Sequence, residues 1–164
     1  MTLDLRDATV ADLPRIAEIY NESIGGRLAT GDLVPVSVES RVDWFENHDP
    51  HTHPIWVAQI NGEIAGWLSF QPFYGRAAYR KTVEISIYIC PQHQRQGVGH
   101  FFLQNAIAFS PELQLSTLLG FIFAHNQPSL GLFQKNGFER WGYLPKIAEL
   151  DDVERDLVIL GRRV

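Results

Sequence analysis

The stretch "ISIYICPQHQRQGVGHFF", residues 85–102, decides how the chain is read. A β-branched run stops at Pro91. Polar residues follow, and two glycines precede an apolar helical pattern. Such a stretch places a strand, a tight turn and a helix start within eighteen residues.

Strand signals lie on both sides of it. In "TVEISIYIC" strict alternation puts Val83, Ile85, Ile87 and Ile89 on one face and Glu84, Ser86, Tyr88 and Cys90 on the other. Val98–Phe109 reads as a helix, with Phe102, Ile107 and Phe109 helping to build its apolar surface. "STLLGFIFA" is a continuous apolar run, the pattern of a strand covered on both faces. The unit from Thr82 to Ala124 therefore predicts one parallel, right-handed crossover.

Upstream, "PIWVAQINGEIAGWLSFQPF" reads as a hairpin. Asn61-Gly62 is the pair a type I′ turn favours, because both central residues need positive φ. At the N-terminus Leu3 and Leu5 mark a short strand. A helix follows with Leu13, Ile16, Ala17, Tyr20 and Ile24 on one face, Asp12 as N-cap and Pro14 in the first turn. Gly25–Pro35 reads as a loop. Ser37 caps a second helix carrying Val38, Val42 and Phe45. Downstream, Pro128–Asn136 reads as a short helix ended by Gly137, and "RWGYL" and "RDLVIL" as two final strands. The order β-α-α-β-β-β-α-β-α-β-β gives an α/β (α+β) class: a mixed, mostly antiparallel, twisted sheet with helices on both faces. Residues 1–164 read as one domain, with no linker, repeat or low-complexity tract.

Composition narrows the function. The chain has 164 residues, 45% hydrophobic and 20% charged, with a net charge of −5. That balance argues against a broad nucleic-acid footprint, and the four tryptophans read as core or interface residues. The single cysteine, Cys90, excludes an internal disulfide framework. No secretory signal and no apolar run of about 20 residues is visible. We expect a cytoplasmic protein that spans no membrane.

The glycine turn suits an anion. A helix N-terminus offers free N–H groups and about half a positive charge, and glycine lets a phosphate approach. A plain strand-to-helix turn is the alternative reading. Other phosphate motifs fit badly. No G-x-x-x-x-G-K-S/T is present. "GVGHFF" lacks a third dinucleotide glycine, and "STLLGFIF" carries no ribose-binding acid.

Gln94-Arg95-Gln96-Gly97-Val98-Gly99 matches the Gln/Arg-x-x-Gly-x-Gly/Ala pattern of the GNAT superfamily of acetyl-CoA-dependent N-acetyltransferases. "HNQPSLGLFQKNGFER" resembles that family's later element at Asn126, Ser129, Phe133, Gly137 and Phe138. "QPFYGRAAYRKTVEISIYICPQHQRQGVG" is most similar to the phosphinothricin acetyltransferase-like branch. The resemblance covers essentially the whole chain. It implies that acetyl-CoA is the co-substrate, with no metal. The backbone of Ile87, Tyr88 and Ile89 would pair with the pantetheine arm. Amides of Arg95, Gln96, Gly97, Val98, Gly99 and His100 would hold the pyrophosphate, and Asn126 would contact the arm further along. Phe73, Tyr74, Gly75 and Arg76, with Glu84, Ile85 and Ser86, would line the acceptor site. A small amine such as phosphinothricin or methionine sulfone is the acceptor the branch implies. A homodimer is a further family expectation.

Several residues carry two readings. Glu84 is an ordinary rim glutamate, a salt-bridge partner of Lys81 or Arg80, or the general base the resemblance assigns. A base is useful because a lysine-like amine of pKa about 10.4 costs roughly 4–5 kcal/mol to deprotonate at pH 7, and an α-amine near 8 about 1–1.5 kcal/mol. Arg76 is a solvent-facing loop arginine or a fork for an acceptor carboxylate or phosphinate. Cys90 is a small packed side chain or a nucleophile. Phe133 stands where many family members have a proton-donating tyrosine, so Tyr88, Tyr143, water or no acid at all serves the leaving thiolate. His48, His51 and His53 form a solvated loop or a metal site, and His125 lines the cleft or closes a strand end. On the same fold, a non-catalytic acetyl-CoA sensor and a peptide N-acetyltransferase are the competing functions.

Overall fold

The computed structural model describes residues 2–164. Its sheet grows from the Asn61-Gly62 turn. Asn61 has φ 52° and Gly62 φ 82°, as the hairpin requires. They join β2 (Ile55–Ile60) to β3 (Glu63–Pro72), and β1 (Leu3–Asp7) adds antiparallel to β2. β4 (Thr82–Ile89) runs antiparallel to β3 along its whole length. After α3 (Val98–Phe109), β5 (Thr117–Phe123) returns parallel to β4. β6 (Glu139–Leu150) and β7 (Val153–Arg163) complete a seven-stranded sheet of order β1-β2-β3-β4-β5-β7-β6. The sequence reading of a mixed, mostly antiparallel sheet with one parallel crossover holds.

Two helical layers flank it. α1 (Leu13–Ile24) and the short α2 (Val42–Glu46) cover one face, burying Ile16, Ile19, Tyr20 and Ile24 against Val57, Trp67 and Cys90. α3 and α4 (Gln127–Lys135) cover the other, where Val98, Phe102, Leu103 and Phe133 meet Val83, Ile85, Leu118 and Leu160. A fully buried side chain of this size contributes about 1.5–3 kcal/mol.

The departures from expectation have local causes. Asp12 does precede α1, with Pro14 in the first turn. Its carboxylate, however, accepts from the Thr9 N–H at 2.8 Å and pairs with Arg6 at 2.7 Å instead of capping α1. Ser37 Oγ accepts from the Ser40 N–H, but it opens a 3-10 turn at Glu39–Arg41. Val38 therefore lies outside α2. α4 begins one residue early because the Asn126 side chain caps it. β6 and β7 extend well beyond "RWGYL" and "RDLVIL". They are joined at Asp151-Asp152, both with positive φ. β6 is an edge strand whose residues are mostly exposed, so it lacks the alternation that marks a half-buried strand.

β5 is packed tightly against α4. A Cβ on Gly120 would lie 2.7 Å from Cε2 and 3.0 Å from Cδ2 of the Phe133 ring. The ring is rigid and buried, so it cannot withdraw cheaply. Gly120→Ala is expected to destabilise the fold by about 1–3 kcal/mol, read as a lower urea midpoint with an unchanged slope. An unchanged midpoint would mean that the ring relaxes freely.

Candidate active site

The site originates in a ladder that stops. β4 and β5 pair at Thr82–Thr117, Val83–Leu118 and Glu84–Leu119, and no further. β4 stays with β3 as far as Ile89, and β5 stays with β7 as far as Phe123. A wedge therefore opens beyond Glu84. The direction of the backbone within it follows from alternation. Cys90 N–H donates to Ala65 C=O at 2.8 Å and Phe73 N–H to Thr82 C=O at 3.3 Å, so even-numbered residues of β4 turn their amides to β3. Lys81 C=O, an odd position, accepts from Ser116 and Thr117 ahead of β5. The N–H and C=O groups of Ile87 and Ile89 consequently aim into the wedge. Those of Tyr88 face β3, opposite Trp67.

At the far end of β4 a 3-10 turn at Pro91–His93 leads to the glycine bend. Arg95 has φ 60° and Gly97 φ 84°. The first helical bond of α3 runs from Phe101 N–H to Gly97 C=O at 2.9 Å. The amides of Val98, Gly99 and His100 precede that bond and have no helical partner. Gln94, Arg95, Gln96, Gly97 and His100 are exposed, and the Gln96 side chain steadies the bend by donating to Gln92 C=O at 3.2 Å. The two glycines have different reasons. Gly97 supplies the left-handed φ, with nothing within 4 Å of an added Cβ. Gly99 admits α4, since a Cβ there would meet Leu132 at 2.6 Å.

Glu84 sits at the vertex of the wedge, half-buried, with Gln71 opposite it on β3. Its carboxylate makes no hydrogen bond or ion pair among the described residues. The pairing with Lys81 or Arg80 is not formed. Burial lifts its pKa above the ordinary 4.5. Ile85 points to the opposite, buried face, while Ser86 and Tyr88 continue the Glu84 face.

Phe73–Arg76 lies beyond the end of the β3–β4 pairing that holds Glu84. Tyr74 (φ 55°) and Gly75 (φ 67°) form the bend. The Phe73 ring packs on Tyr74 at 4.4 Å and Tyr79 at 5.5 Å. Arg76 is exposed and has no partner for its side chain among the described residues.

Asn126 is buried, and both ends of its amide are engaged within the chain. Oδ1 accepts from Ser129 N–H, and Nδ2 donates to Leu28 C=O at 3.2 Å. Phe133 is a core residue, edge-on to Phe138. Tyr143 stands on the exposed β6 and donates to Asp156, and Tyr88 Oη donates to Ala29 C=O at 3.3 Å. Cys90 is buried, 3.1 Å from an Arg15 guanidinium nitrogen. His48 is drawn into the fold against Trp44, and no metal-holding group of three or more His, Cys, Asp or Glu forms among the described residues. What sequence reasoning missed is the Gly25–Pro35 loop. It reaches the site through main-chain carbonyls, which leave no trace in residue identity.

A family model described as the acetyltransferase (GNAT) family matches residues 14–138. The chain belongs to the GNAT acetyltransferase family. The GNAT chain is 47% identical to YwnH of Bacillus subtilis over 163 residues, 99% of each protein. It is 35% identical over 153 residues to the L-methionine sulfoximine/L-methionine sulfone acetyltransferase of Pseudomonas aeruginosa, covering 91% of this chain and 87% of that one. Among solved structures, the phosphinothricin acetyltransferase of Sinorhizobium meliloti in complex with acetyl-CoA superposes with a TM-score of 0.93 at 30% identity, covering 100% and 89% of the two chains. As a GNAT enzyme the chain is an acyltransferase whose co-substrate is acetyl-CoA.

The raised pKa of Glu84 is a statement about stability. The folded state disfavours its charge, so wild type loses stability as pH rises from the unfolded value near 4.5 through the higher folded value. Glu84→Gln cannot ionise. Calorimetry is expected to show the variant gaining Tm over wild type at pH 7.5 and no such gain at pH 4. An equal difference at both pH values would mean that burial does not penalise this carboxylate.

Proposed function

We propose that this GNAT enzyme transfers acetyl from acetyl-CoA to the primary amine of a small amino acid or analogue of the phosphinothricin or methionine sulfone type, by direct attack in a ternary complex. The observation that carries the proposal is the wedge with an unpaired, half-buried carboxylate at its vertex. From Glu84 to Ile89 is five residue steps at about 3.3 Å each, or about 17 Å. An extended pantetheine arm lying along β4 spans that distance. It would pair with Ile87 and Ile89, leave its pyrophosphate on the amides from Arg95 to His100, and bring its thioester to Glu84. Asn126 would meet the arm from the end of β5. Phe73, Tyr74, Gly75 and Arg76, with Ser86, would border the acceptor, and the Arg76 fork would take its carboxylate or phosphinate.

The amine nitrogen attacks the thioester carbonyl, Glu84 takes the amine proton directly or through water, and the C–S bond breaks. A strand N–H beside the carbonyl stabilises the developing oxyanion. Phe133 has no proton to donate, Tyr143 is engaged with Asp156, and Tyr88 is engaged with Ala29. The thiolate therefore leaves without a protein acid. Its thiol pKa, near 8.5 by analogy with cysteine, makes that departure feasible.

We further propose a cytoplasmic homodimer. The free, buried Cys90 fits a reducing compartment. α1 packs on β3 and β4 rather than on the β6 edge of the sheet. Trp141, Leu144 and Ile147 are exposed on β6, and a second copy would cover them.

A turnover screen with acetyl-CoA over amino acids, their sulfone and phosphinic analogues, polyamines and peptides tests the acceptor class. Small zwitterions are expected to lead, and a peptide preference would contradict the assignment. Glu84→Gln is expected to lower kcat by about 10²–10⁴ at neutral pH with CoA affinity retained. A pH–rate profile identical to wild type would remove Glu84 as base.

A further inference from the structure

Strand register puts a second arginine on the face that carries Glu84. Glu84 pairs with Leu119 and Leu119 with Gly161, so these three residues share a face. Two residues away on each strand, Thr82 pairs with Thr117 and Thr117 with Arg163, and a period of two keeps this row on the same face. Phe73, whose N–H donates to Thr82 C=O, ends the row on the β3 side. Arg162 belongs to the other face, where its guanidinium donates to Asn136 C=O at the end of α4. Arg163 is exposed, yet its side chain is not loose. Nη1 donates to Thr117 Oγ1 at 2.6 Å, which lays the guanidinium back over β5. Thr117 is buried, so the hydroxyl that holds the fork is itself fixed. The remaining N–H groups of the fork have no partner among the described residues. No carboxylate pairs with Arg163 or with Arg76 among them, although the chain has 19 acidic residues against 14 basic ones. On the β7 side the Trp141 ring lies over Gly161, where a Cβ would collide with it, and so walls the neighbouring row.

We propose that Arg163, set by Thr117, is a second anion-binding group of the acceptor site, and that it makes the enzyme prefer α-amino acids whose side chain ends in an oxyanion (a phosphinate, phosphonate or carboxylate) over those ending in a neutral sulfone. The inference rests on the acetyltransferase reading above, in which Arg76 takes one acceptor anion. An acceptor of this kind carries two anionic groups besides its amine. Two unpaired guanidinium forks meet them, one from the β3–β4 connection and one from β7. Thr117 lies one strand over and two residues along from Glu84, an offset of about 8 Å. With the amine at Glu84, a side chain of glutamate length brings its terminal oxygens within reach of the fork leaning over Thr117. A hydrogen bond to a charged oxygen is roughly twice as strong as one to a neutral oxygen. The fork therefore separates a phosphinate from a sulfone of similar shape.

The test compares phosphinothricin with L-methionine sulfone as acceptors for the full-length enzyme at saturating acetyl-CoA. Wild type is expected to favour phosphinothricin in kcat/KM. Arg163→Gln is expected to lower kcat/KM for phosphinothricin about ten- to hundredfold, mostly by raising KM, and that for methionine sulfone less than about threefold. Arg163→Lys keeps the charge without the fork and is expected to fall between wild type and Arg163→Gln. Thr117→Val removes the hydroxyl on which the fork rests. It is expected to raise the KM for phosphinothricin about three- to tenfold, and Thr117→Ser to restore it. CoA affinity by calorimetry is expected to stay within about twofold in every variant. Arg163 is exposed, so Arg163→Gln reports even if the Thr117 variants fold poorly. Equal losses for the two acceptors, no loss for either, or a wild type that prefers the sulfone would overturn the assignment of Arg163. A wild type that acetylates no amino acid or analogue would defeat the functional reading itself. An active wild type with an indifferent Arg163→Gln would defeat only the second fork.

Discussion

The parting of β4 from β5 after the Glu84–Leu119 pair is the constraint on which the rest of this molecule depends. Each strand keeps its antiparallel partner: β4 stays with β3 and β5 with β7. Only the parallel ladder between them is given up. Main-chain groups denied a partner cost about 1–3 kcal/mol each when buried. The half-exposed groups of Ile87 and Ile89 are left to water or to a ligand with its own amides, the role proposed for the cofactor arm. The bend at Gly97 adds a second such set close by, the unpaired amides at the start of α3. A long molecule with amides along its arm and a diphosphate at one end answers both.

The two faces of β4 divide the work. Val83 and Ile85 are sealed against α3 and α4, which holds the strand rigid. Glu84, Ser86 and Tyr88 look the other way, toward α1 and its connection to α2. Burial without a partner keeps Glu84 less acidic than a surface glutamate, which suits the proposed role of taking a proton near neutral pH. Phe133, which carries no phenol, belongs to the core. The ring packs over Gly120, which has no Cβ to meet it.

Much of this was legible in the chain itself. Asn61-Gly62 encoded its hairpin, alternation encoded the two faces of β4, and the bounds of α3 agree with the apolar pattern at Val98–Phe109. The pattern in residues 94–99 marked the bend, although its second glycine proves to serve helix packing. Two kinds of feature were hidden. β6 is an exposed edge strand, so burial imposes no period on it. The Gly25–Pro35 loop meets Tyr88, His125 and Asn126 through carbonyl oxygens, which every residue has, so the loop's own side chains do not announce those contacts. The splay of β4 from β5 was hidden for the same reason, because it is a property of pairing rather than of residue type.

A crystal structure of the protein with coenzyme A tests the central claim most directly. The account predicts the diphosphate within hydrogen-bond reach of the amides around Gly97, the pantetheine amides paired with Ile87 and Ile89, and the sulfur beside Glu84. Coenzyme A bound outside the wedge, or β4 and β5 zipped together past Glu84 in the complex, would contradict it.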